Sequence, residues 1–538
     1  MKKILRLLAV VLIVAFLLTG CSMDLDQLLD DIYTAIMVGT ATHFEDMAYT
    51  RPDLTAYEQE WNTCMDMADT EQKVKTLMDQ VYVVYEYYYD FHTNYNLANV
   101  HYSIDMTDSY WSDEYAYCME KSADVSSWMD KLLYKLADSP LREELESDSF
   151  FGEGFFDAYD GESIWDETFT ALMNEESTLL TEYYDITAKA AEVDPYSESY
   201  YTGYGAQLEE VFVELIAVRQ EIAAYAGYES YAHFAYDFNY YRDYTPEQTE
   251  TYLADISKEL VGLYQNMDSS AWTGSYASCT EEEMYTYVQQ TAEAIGGTAA
   301  SAFKLMETAG LYDIKASENK YNASFELYLY SYYVPFILVN PYGMALDKLT
   351  FVHEFGHFCN DYASSGSAAS VDVAEVFSQG MEYLSLVYGT DTDALTKSKM
   401  ADSLSVFVEQ AAYASFEQNV YQLTGEDLTV ENVRAVFADA MDAFGLSIYG
   451  VDCRSYVQVP HFFIVPMYVI SYVVSNDAAM QIYEKEIAES GSGLKVWEDN
   501  LTTLESGFLA FMEEAGLDSP FTEGRVAQLR KTFETVLK

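Results

Sequence analysis

The chain has 538 residues, of which half are hydrophobic and 22% are charged, so it holds enough apolar material for one or two sizeable cores. The 89 Asp and Glu residues outnumber the 28 Lys and Arg residues and give a net charge of −61, which argues against a nucleic-acid partner because phosphate backbones are repelled. The 50 tyrosines exclude a disordered acidic protein, and the 9 prolines argue against a linker-rich or β-sandwich chain, so we expect a mainly helical globular protein.

The N-terminal residues 1–20 have the pattern of a secretory signal. A basic start is followed by an apolar run, Leu7–Leu18, that is too short for a comfortable membrane span. The run ends in Leu18-Thr19-Gly20-Cys21, which resembles a bacterial lipobox with Cys21 as the lipidated residue. We therefore expect a lipid anchor at Cys21 and a location on the extracellular face of the bacterial cytoplasmic membrane. The alternative is an uncleaved N-terminal membrane anchor.

Long stretches without Pro or Gly predict helices along most of the chain. They lie near Asp24–Val38, Glu71–His101, Asp113–Ala137, Thr168–Val193, Ala206–Ala226 and Pro246–Val261. The glycine-containing stretch Asp148–Trp165 is the clearest early break between helices. We divide the chain after the signal into an N-terminal helical lobe, residues 21–204, and a second helical domain, residues 205–538.

Strand patterns occur in one region of the sequence. Ser324–Tyr330 alternates in polarity, and Pro335–Asn340 is a short apolar run of the kind found in buried strands. This small β element comes shortly before the histidine motif.

The motif is His353-Glu354-Phe355-Gly356-His357. On a helix, residues i and i+4 share a face, so the two imidazoles can bind one metal ion. Glu354 then lies beside that face, where a carboxylate can take a proton from a water molecule that a zinc ion has acidified. Two structural histidines on an ordinary helix are the alternative.

The third ligand is expected on the following helix. Glu375, Gln379 and Glu382 are spaced at i, i+4 and i+7, so they share one helix face, and we take Glu375 as the ligand. We expect Asp372 and Glu382 to accept hydrogen bonds that hold the imidazole tautomers. The alternative is an ordinary solvated acidic face.

Several segments of the sequence resemble a known family. Thr350–Phe358, followed by the Asp-x-x-Glu helix, resembles the thimet oligopeptidase and oligoendopeptidase F zinc metallopeptidases. Val459–Tyr472 is similar to the oligoendopeptidase F segment that opens with Pro-His-Phe, although Met467 and Ile470 stand where the family often has aromatic residues. Further matches are Pro335–Asn340, Arg219–Tyr228 and Arg242–Thr245. The resemblance covers roughly residues 206–538.

The resemblance implies a mainly α, two-lobed zincin with a small β element beside the active-site helix and a deep substrate channel. Residues 205–538 would be its catalytic domain, with one Zn²⁺ per chain. The implied ligands are His353, His357 and Glu375, and the implied general base is Glu354. His461 and Tyr468 would stabilise the oxyanion, with Tyr472 beside them. The strand Pro335–Asn340 would offer unpaired backbone groups to an extended peptide.

The resulting prediction is a monomeric, membrane-anchored zinc endopeptidase that hydrolyses short unstructured oligopeptides outside the cell and binds no nucleic acid. Two alternatives stay open at the level of sequence. One is a peptide-binding lipoprotein with little or no catalytic activity. The other is a carboxypeptidase-like gluzincin built on the same scaffold.

Overall fold

The computed structural model describes residues 39–161, 163–190, 193–366, 369–390, 392–503 and 507–537. The predicted signal segment, Cys21 and the helix predicted at Asp24–Val38 lie outside these residues. Within them, no helix is both long and apolar enough to cross a membrane. The five described cysteines are free, and four of them are buried.

Most of the described chain is helical, and the predicted helices are confirmed to within a few residues. The N-terminal helices are α1 (Leu54–Thr70), α2 (Val74–Ile104), α3 (Ser109–Ala137), α4 (Arg142–Glu146), α5 (Glu167–Ala190), α6 (Glu198–Tyr200), α7 (Ala206–Tyr225), α8 (Tyr231–Phe234), α9 (Pro246–Gln265), α10 (Glu281–Ile295) and α11 (Gly297–Ala309). The C-terminal helices are α12 (Leu346–Ser364), α13 (Val371–Tyr388), α14 (Asp393–Val420), α15 (Val430–Ala443), α16 (Pro460–Ile464), α17 (Ile470–Ala488), α18 (Ser492–Asp499), α19 (Phe508–Glu514) and α20 (Arg525–Val536).

Local side-chain chemistry sets several helix boundaries. Helix α9 begins with a capping box in which Thr245 and Gln248 satisfy each other's backbone N–H groups, and Pro246 occupies the first turn. Helix α2 begins later than predicted because Glu71 Oε1 accepts the backbone N–H groups of Gln72 (2.8 Å) and Lys73 (3.0 Å), which forms a turn after α1.

The predicted β element is a three-stranded sheet with the order β1-β3-β2, formed by β1 (Tyr312–Asp313), β2 (Phe325–Leu329) and β3 (Val334–Leu338). Strand β1 was missed because two residues carry no periodicity. The prediction that Pro335–Asn340 offers free backbone groups is wrong, since β3 is the central strand and pairs with β1 on one side and β2 on the other. Within the described residues, the outer strands of this sheet are β1 and β2.

Two hydrophobic cores organise the described part of the chain. The smaller core is built from α1, α2 and α3 together with the segment that follows them, up to Phe156. The larger core contains the sheet and the C-terminal helices, and it includes Phe169 and Ile186 of α5. The division predicted between residues 204 and 205 stays a prediction, but α5, on its N-terminal side, packs with the larger core.

Helices α12 and α13 pack at very close range, and Gly356 makes this possible. A Cβ at position 356 would lie 2.6 Å from Ser378 Cα and 2.7 Å from the Phe377 carbonyl oxygen. The buried Trp497 supports α13 from α18, because its Nε1–H donates to that same carbonyl oxygen at 2.9 Å. The glycine between the two motif histidines therefore sets the distance between α12 and the helix that carries Glu375.

We expect Gly356→Ala to destabilise the fold by about 2 kcal/mol, because the added methyl group meets backbone atoms that cannot rotate away. The matched control is Gly262→Ala in α9, where a Cβ meets nothing within 4 Å. There the higher helix propensity of alanine should stabilise the protein by roughly 0.5–1 kcal/mol. Chemical unfolding of both variants checks the pair, and an unchanged stability of Gly356→Ala would contradict the close-packing argument.

Candidate metal centre

The two motif histidines and Glu375 converge at one point between α12 and α13. The His353 and His357 rings have centroids 5.0 Å apart, one helical turn from each other. Glu375 Oε2 lies 3.4 Å from His353 Nε2 and 3.9 Å from His357 Nε2. One ligand atom from each of the three residues can be chosen so that all lie within 4.8 Å of one another.

This donor set fits a zinc ion. Two imidazole nitrogens and one carboxylate oxygen are common protein ligands of catalytic zinc, and bonds of about 2.0–2.2 Å place such ligands roughly 3.3–3.6 Å apart. The two distances from Glu375 Oε2 to the imidazole nitrogens, 3.4 Å and 3.9 Å, are close to that range. The fourth side of such a site is left open to water or substrate in catalytic centres.

The acidic face of α13 is buried rather than solvated, since Glu375, Gln379 and Glu382 all lie in the interior. Glu382 Oε1 is 2.9 Å from His353 Nδ1, which leaves His353 Nε2 free to face the metal position. Lys399 of α14, itself buried, donates from Nζ to Glu382 Oε2 at 2.8 Å. A buried lysine thus keeps Glu382 charged and oriented toward the histidine.

We expect Glu382→Ala to weaken zinc binding by about 10–100-fold, because the His353 ring loses the acceptor that fixes its orientation and tautomer. Glu486→Ala is the control, since Glu486 is a buried carboxylate that instead caps the Gly491 and Leu494 backbone N–H groups. Competition with a chelator measures both affinities. Equal zinc affinity in the two variants would show that Glu382 has no influence on the metal.

Asp372 has different partners from those predicted. Its carboxylate accepts hydrogen bonds from Arg242 Nε at 3.1 Å and from the Tyr244 hydroxyl at 2.8 Å, rather than from a histidine. The physical reason is its position in the first turn of α13, where the fully buried Arg242 guanidinium requires a counter-charge. The expected contact of Asp372 with an imidazole is therefore wrong.

Burial and neighbouring charges shift the titration of the motif residues in opposite directions. Burial, with the charges of Glu375 and Glu382, raises the pKa of Glu354 to about 7. Burial also lowers the pKa of His357 to about 4. For His353, the hydrogen bond with Glu382 and the charge of Glu375 outweigh the effect of burial and raise the pKa to about 9. A carboxyl group with a pKa near neutrality suits proton transfer at neutral pH.

The three residues assigned to oxyanion stabilisation lie together beside Glu375. The Tyr468 hydroxyl donates to Glu375 Oε1 at 3.2 Å, and the Tyr472 hydroxyl lies 3.2 Å from His461 Nε2. The Tyr468 and Tyr472 ring centroids are 5.2 Å apart. Burial raises the pKa of both tyrosines, so both hydroxyls keep their protons at neutral pH and remain donors.

Sequence reasoning missed Lys399 and Glu417, and it noted Arg242 only as part of a weak match. Each lies far in sequence from the residue that it contacts, so no spacing pattern marks it. Glu417 Oε1 accepts the Met467 backbone N–H at 2.8 Å, next to Tyr468, whereas Glu417 Oε2 has no partner within the described residues. Burial raises the pKa of Glu417 to about 8.

A pH-dependent stability follows from Glu417. Its folded-state pKa of about 8 lies above the ordinary value of 4.5, so its contribution to stability is fully present below that value and is lost as the pH rises through about 8. Glu417→Gln cannot ionise and should lack this loss. Unfolding free energies measured from mildly acidic to mildly alkaline pH test the difference, and parallel curves for the two proteins would contradict it.

The sequence matches a known family over part of its length. Residues 44–161 match the Peptidase M3 N-terminal domain. This segment lies outside the region on which the motif resemblance rests, so the two observations concern separate parts of the chain. No curated protein sequence matches the chain significantly.

Solved structures with a similar fold cover almost the whole chain. A putative oligoendopeptidase F is 20% identical, with a TM-score of 0.81 over 92% of this chain and 99% of its own. A putative oligoendopeptidase F from Bacillus anthracis str. Ames is 20% identical, with a TM-score of 0.77 over 92% and 98% of the two chains. PZ peptidase A, solved with an inhibitor, is 18% identical, with a TM-score of 0.80 over 92% and 99%. The chain therefore has the oligoendopeptidase F fold, with a segment similar to the Peptidase M3 N-terminal domain.

Proposed function

We propose that this protein is a zinc-dependent endopeptidase that hydrolyses peptide bonds in short, unstructured oligopeptides. The observation that carries the proposal is the convergence of His353, His357 and Glu375 at metal-ligand spacing on two adjacent helices. A general base and several hydroxyl or imidazole donors beside the same point supply what peptide hydrolysis needs besides a metal.

Each residue has a distinct role in the proposed reaction. A zinc ion bound at this site would polarise a water molecule and the scissile carbonyl group. Glu354, as a carboxylate, accepts the proton of the attacking water and later delivers a proton to the leaving nitrogen. Tyr468 and His461 donate hydrogen bonds to the carbonyl oxygen as negative charge develops on it, and Tyr472 holds His461.

The cellular location is a further part of the proposal. The basic N-terminus, the apolar run and the lipobox-like sequence ending at Cys21 support secretion followed by lipid anchoring on the extracellular face of the membrane. Release of a Cys21→Ser form into the medium would support lipidation. Unchanged membrane retention of that form would show that an uncleaved N-terminal helix anchors the protein.

The deciding experiment is digestion of a mixed library of short peptides by the purified protein, with products read by mass spectrometry. Zinc-loaded protein should cut peptides internally, and the chelated protein should recover this activity when zinc is restored. Removal of single C-terminal residues alone would establish the carboxypeptidase-like alternative. Zinc binding without any cleavage would overturn the proposal in favour of a peptide-binding lipoprotein.

A further inference from the structure

Met467, directly before Tyr468, adopts a backbone conformation that its residue type disfavours. Its φ angle is 66°, in the left-handed region, and its side chain is buried. For a residue with a Cβ, this conformation is disfavoured, and it persists only when the surroundings enforce it. The surroundings of this peptide unit therefore have to hold it in place.

Two buried side chains form hydrogen bonds with the backbone of Met467, one with its carbonyl oxygen and one with its N–H group. Arg242 Nη1 donates to the Met467 carbonyl oxygen at 2.9 Å, and Glu417 Oε1 accepts the Met467 N–H at 2.8 Å. The Arg242 guanidinium lies over the Tyr236 and Tyr240 rings, at 4.4 Å and 4.5 Å from their centroids. It has no exposure to solvent, so its hydrogen-bond geometry is fixed by packing.

The same guanidinium also donates hydrogen bonds to two helices, α13 and α17. It donates to Asp372 Oδ2 at 3.1 Å, at the start of α13, and from Nη2 to Ser471 Oγ at 2.8 Å, in the first turn of α17. Helix α13 carries Glu375, and the Tyr468 hydroxyl reaches Glu375 Oε1 at 3.2 Å. The Arg242 side chain thus connects α13, which carries Glu375, to the turn at Met467 that precedes Tyr468.

We propose that Arg242 is a positioning residue that holds Met467 in the left-handed conformation and thereby places the Tyr468 hydroxyl beside Glu375. The inference rests on the proposed function, because it assigns Arg242 to the set-up of the oxyanion donor. Arg242 does not touch the reacting atoms. Without its bond to the Met467 carbonyl, Met467 relaxes toward an ordinary negative φ angle and carries Tyr468 away from the metal position.

The test uses a rescue that a purely structural role for Arg242 would not produce. In the full chain, Arg242→Lys removes the fork that reaches Met467, Asp372 and Ser471 together, so kcat should fall about 10–100-fold with little change in KM. When Met467→Gly is added to Arg242→Lys, kcat should rise again several-fold, because glycine adopts the left-handed conformation without strain. Val465→Gly is the matched control, since Val465 lies in the same turn with φ −137° and should give no rescue.

A readout independent of catalysis separates this inference from the proposed function. A 3-fluorotyrosine placed at position 468 should show a ¹⁹F resonance that shifts in Arg242→Lys and returns toward its original position when Met467→Gly is added. If the wild-type protein has no peptidase activity, the proposed function is refuted. The ¹⁹F comparison then decides by itself whether Arg242 positions Tyr468. An unshifted resonance, or rescue by Val465→Gly as strong as by Met467→Gly, would overturn the inference.

Glu417 provides a second route if Arg242→Lys does not fold. Glu417→Met removes the acceptor of the Met467 N–H, so it should displace the ¹⁹F resonance and lower kcat. Glu417→Gln keeps a carbonyl oxygen at that position and should lose less activity and shift the resonance less. Identical behaviour of the two variants would contradict the proposed hold on Met467.

Discussion

Glu354→Gln is expected to keep its zinc and to lose hydrolysis by about 10²–10⁴-fold, which is the usual contribution of a positioned general base. The amide has nearly the same shape as the carboxyl group but cannot accept a proton from water. Glu354 is buried beside His353 without belonging to the converging ligand set, so its replacement should leave metal binding intact. Zinc content and kcat measured on the same preparation check the two halves of this prediction.

The neighbouring carboxyl group of Glu326 supplies the control for this variant. Burial, followed by the charges of Asp361 and Glu354, raises the pKa of Glu326, so it senses the same surroundings from strand β2. Like Glu354→Gln, Glu326→Gln replaces a carboxyl group in these surroundings with an amide, but it leaves the proposed base in place. Its activity should therefore fall far less. A comparable loss in both variants would mean that the exchange of a carboxyl group for an amide in these surroundings, and not the loss of proton transfer by Glu354, accounts for the effect.

Glu375→Ala should weaken zinc binding by about 10²-fold and so lower the zinc occupancy. A zinc site with an apparent binding free energy of about 10–16 kcal/mol gains roughly 3 kcal/mol from each of four ligands, which corresponds to a factor of about 10² in affinity for the one removed. The substitution also removes the carboxylate oxygen that accepts from the Tyr468 hydroxyl and one of the two acceptors of the Ser378 hydroxyl. Activity should consequently fall even at zinc concentrations that refill the site.

Gln379→Ala is the matched control because Gln379 lies one helical turn further along the same buried face of α13. It is not part of the converging ligand set, so this variant should keep its zinc while showing the stability loss of a buried truncation. Chelator competition and unfolding measured on both variants separate the two effects. A zinc affinity of Glu375→Ala equal to that of the unchanged protein would assign the third ligand to another residue.

The sequence predicted the helices and the ligand set because both depend on short-range spacing. Proline- and glycine-free stretches identify long helices, and His353 and His357 share a face on any helix that contains them. Periodicity placed Glu375 on one face of α13 with Gln379 and Glu382, and the family resemblance supported Glu375 as the ligand. The structure brings Glu375 Oε2 within 3.4 Å of His353 Nε2. The two-residue strand β1 and the central position of β3 could not be predicted, since pairing depends on which strands meet.

The amino-acid sequence by itself thus determined the helical character, the small β element and the identity of the candidate metal ligands and base. Only the tertiary structure decided which groups surround them. It pairs Lys399 with Glu382, and it places Arg242 in hydrogen-bond contact with both Asp372 and the Met467 carbonyl oxygen. The physical reason is that a buried charge must find a partner, and that partner comes from whichever distant helix the packing of the core brings within reach.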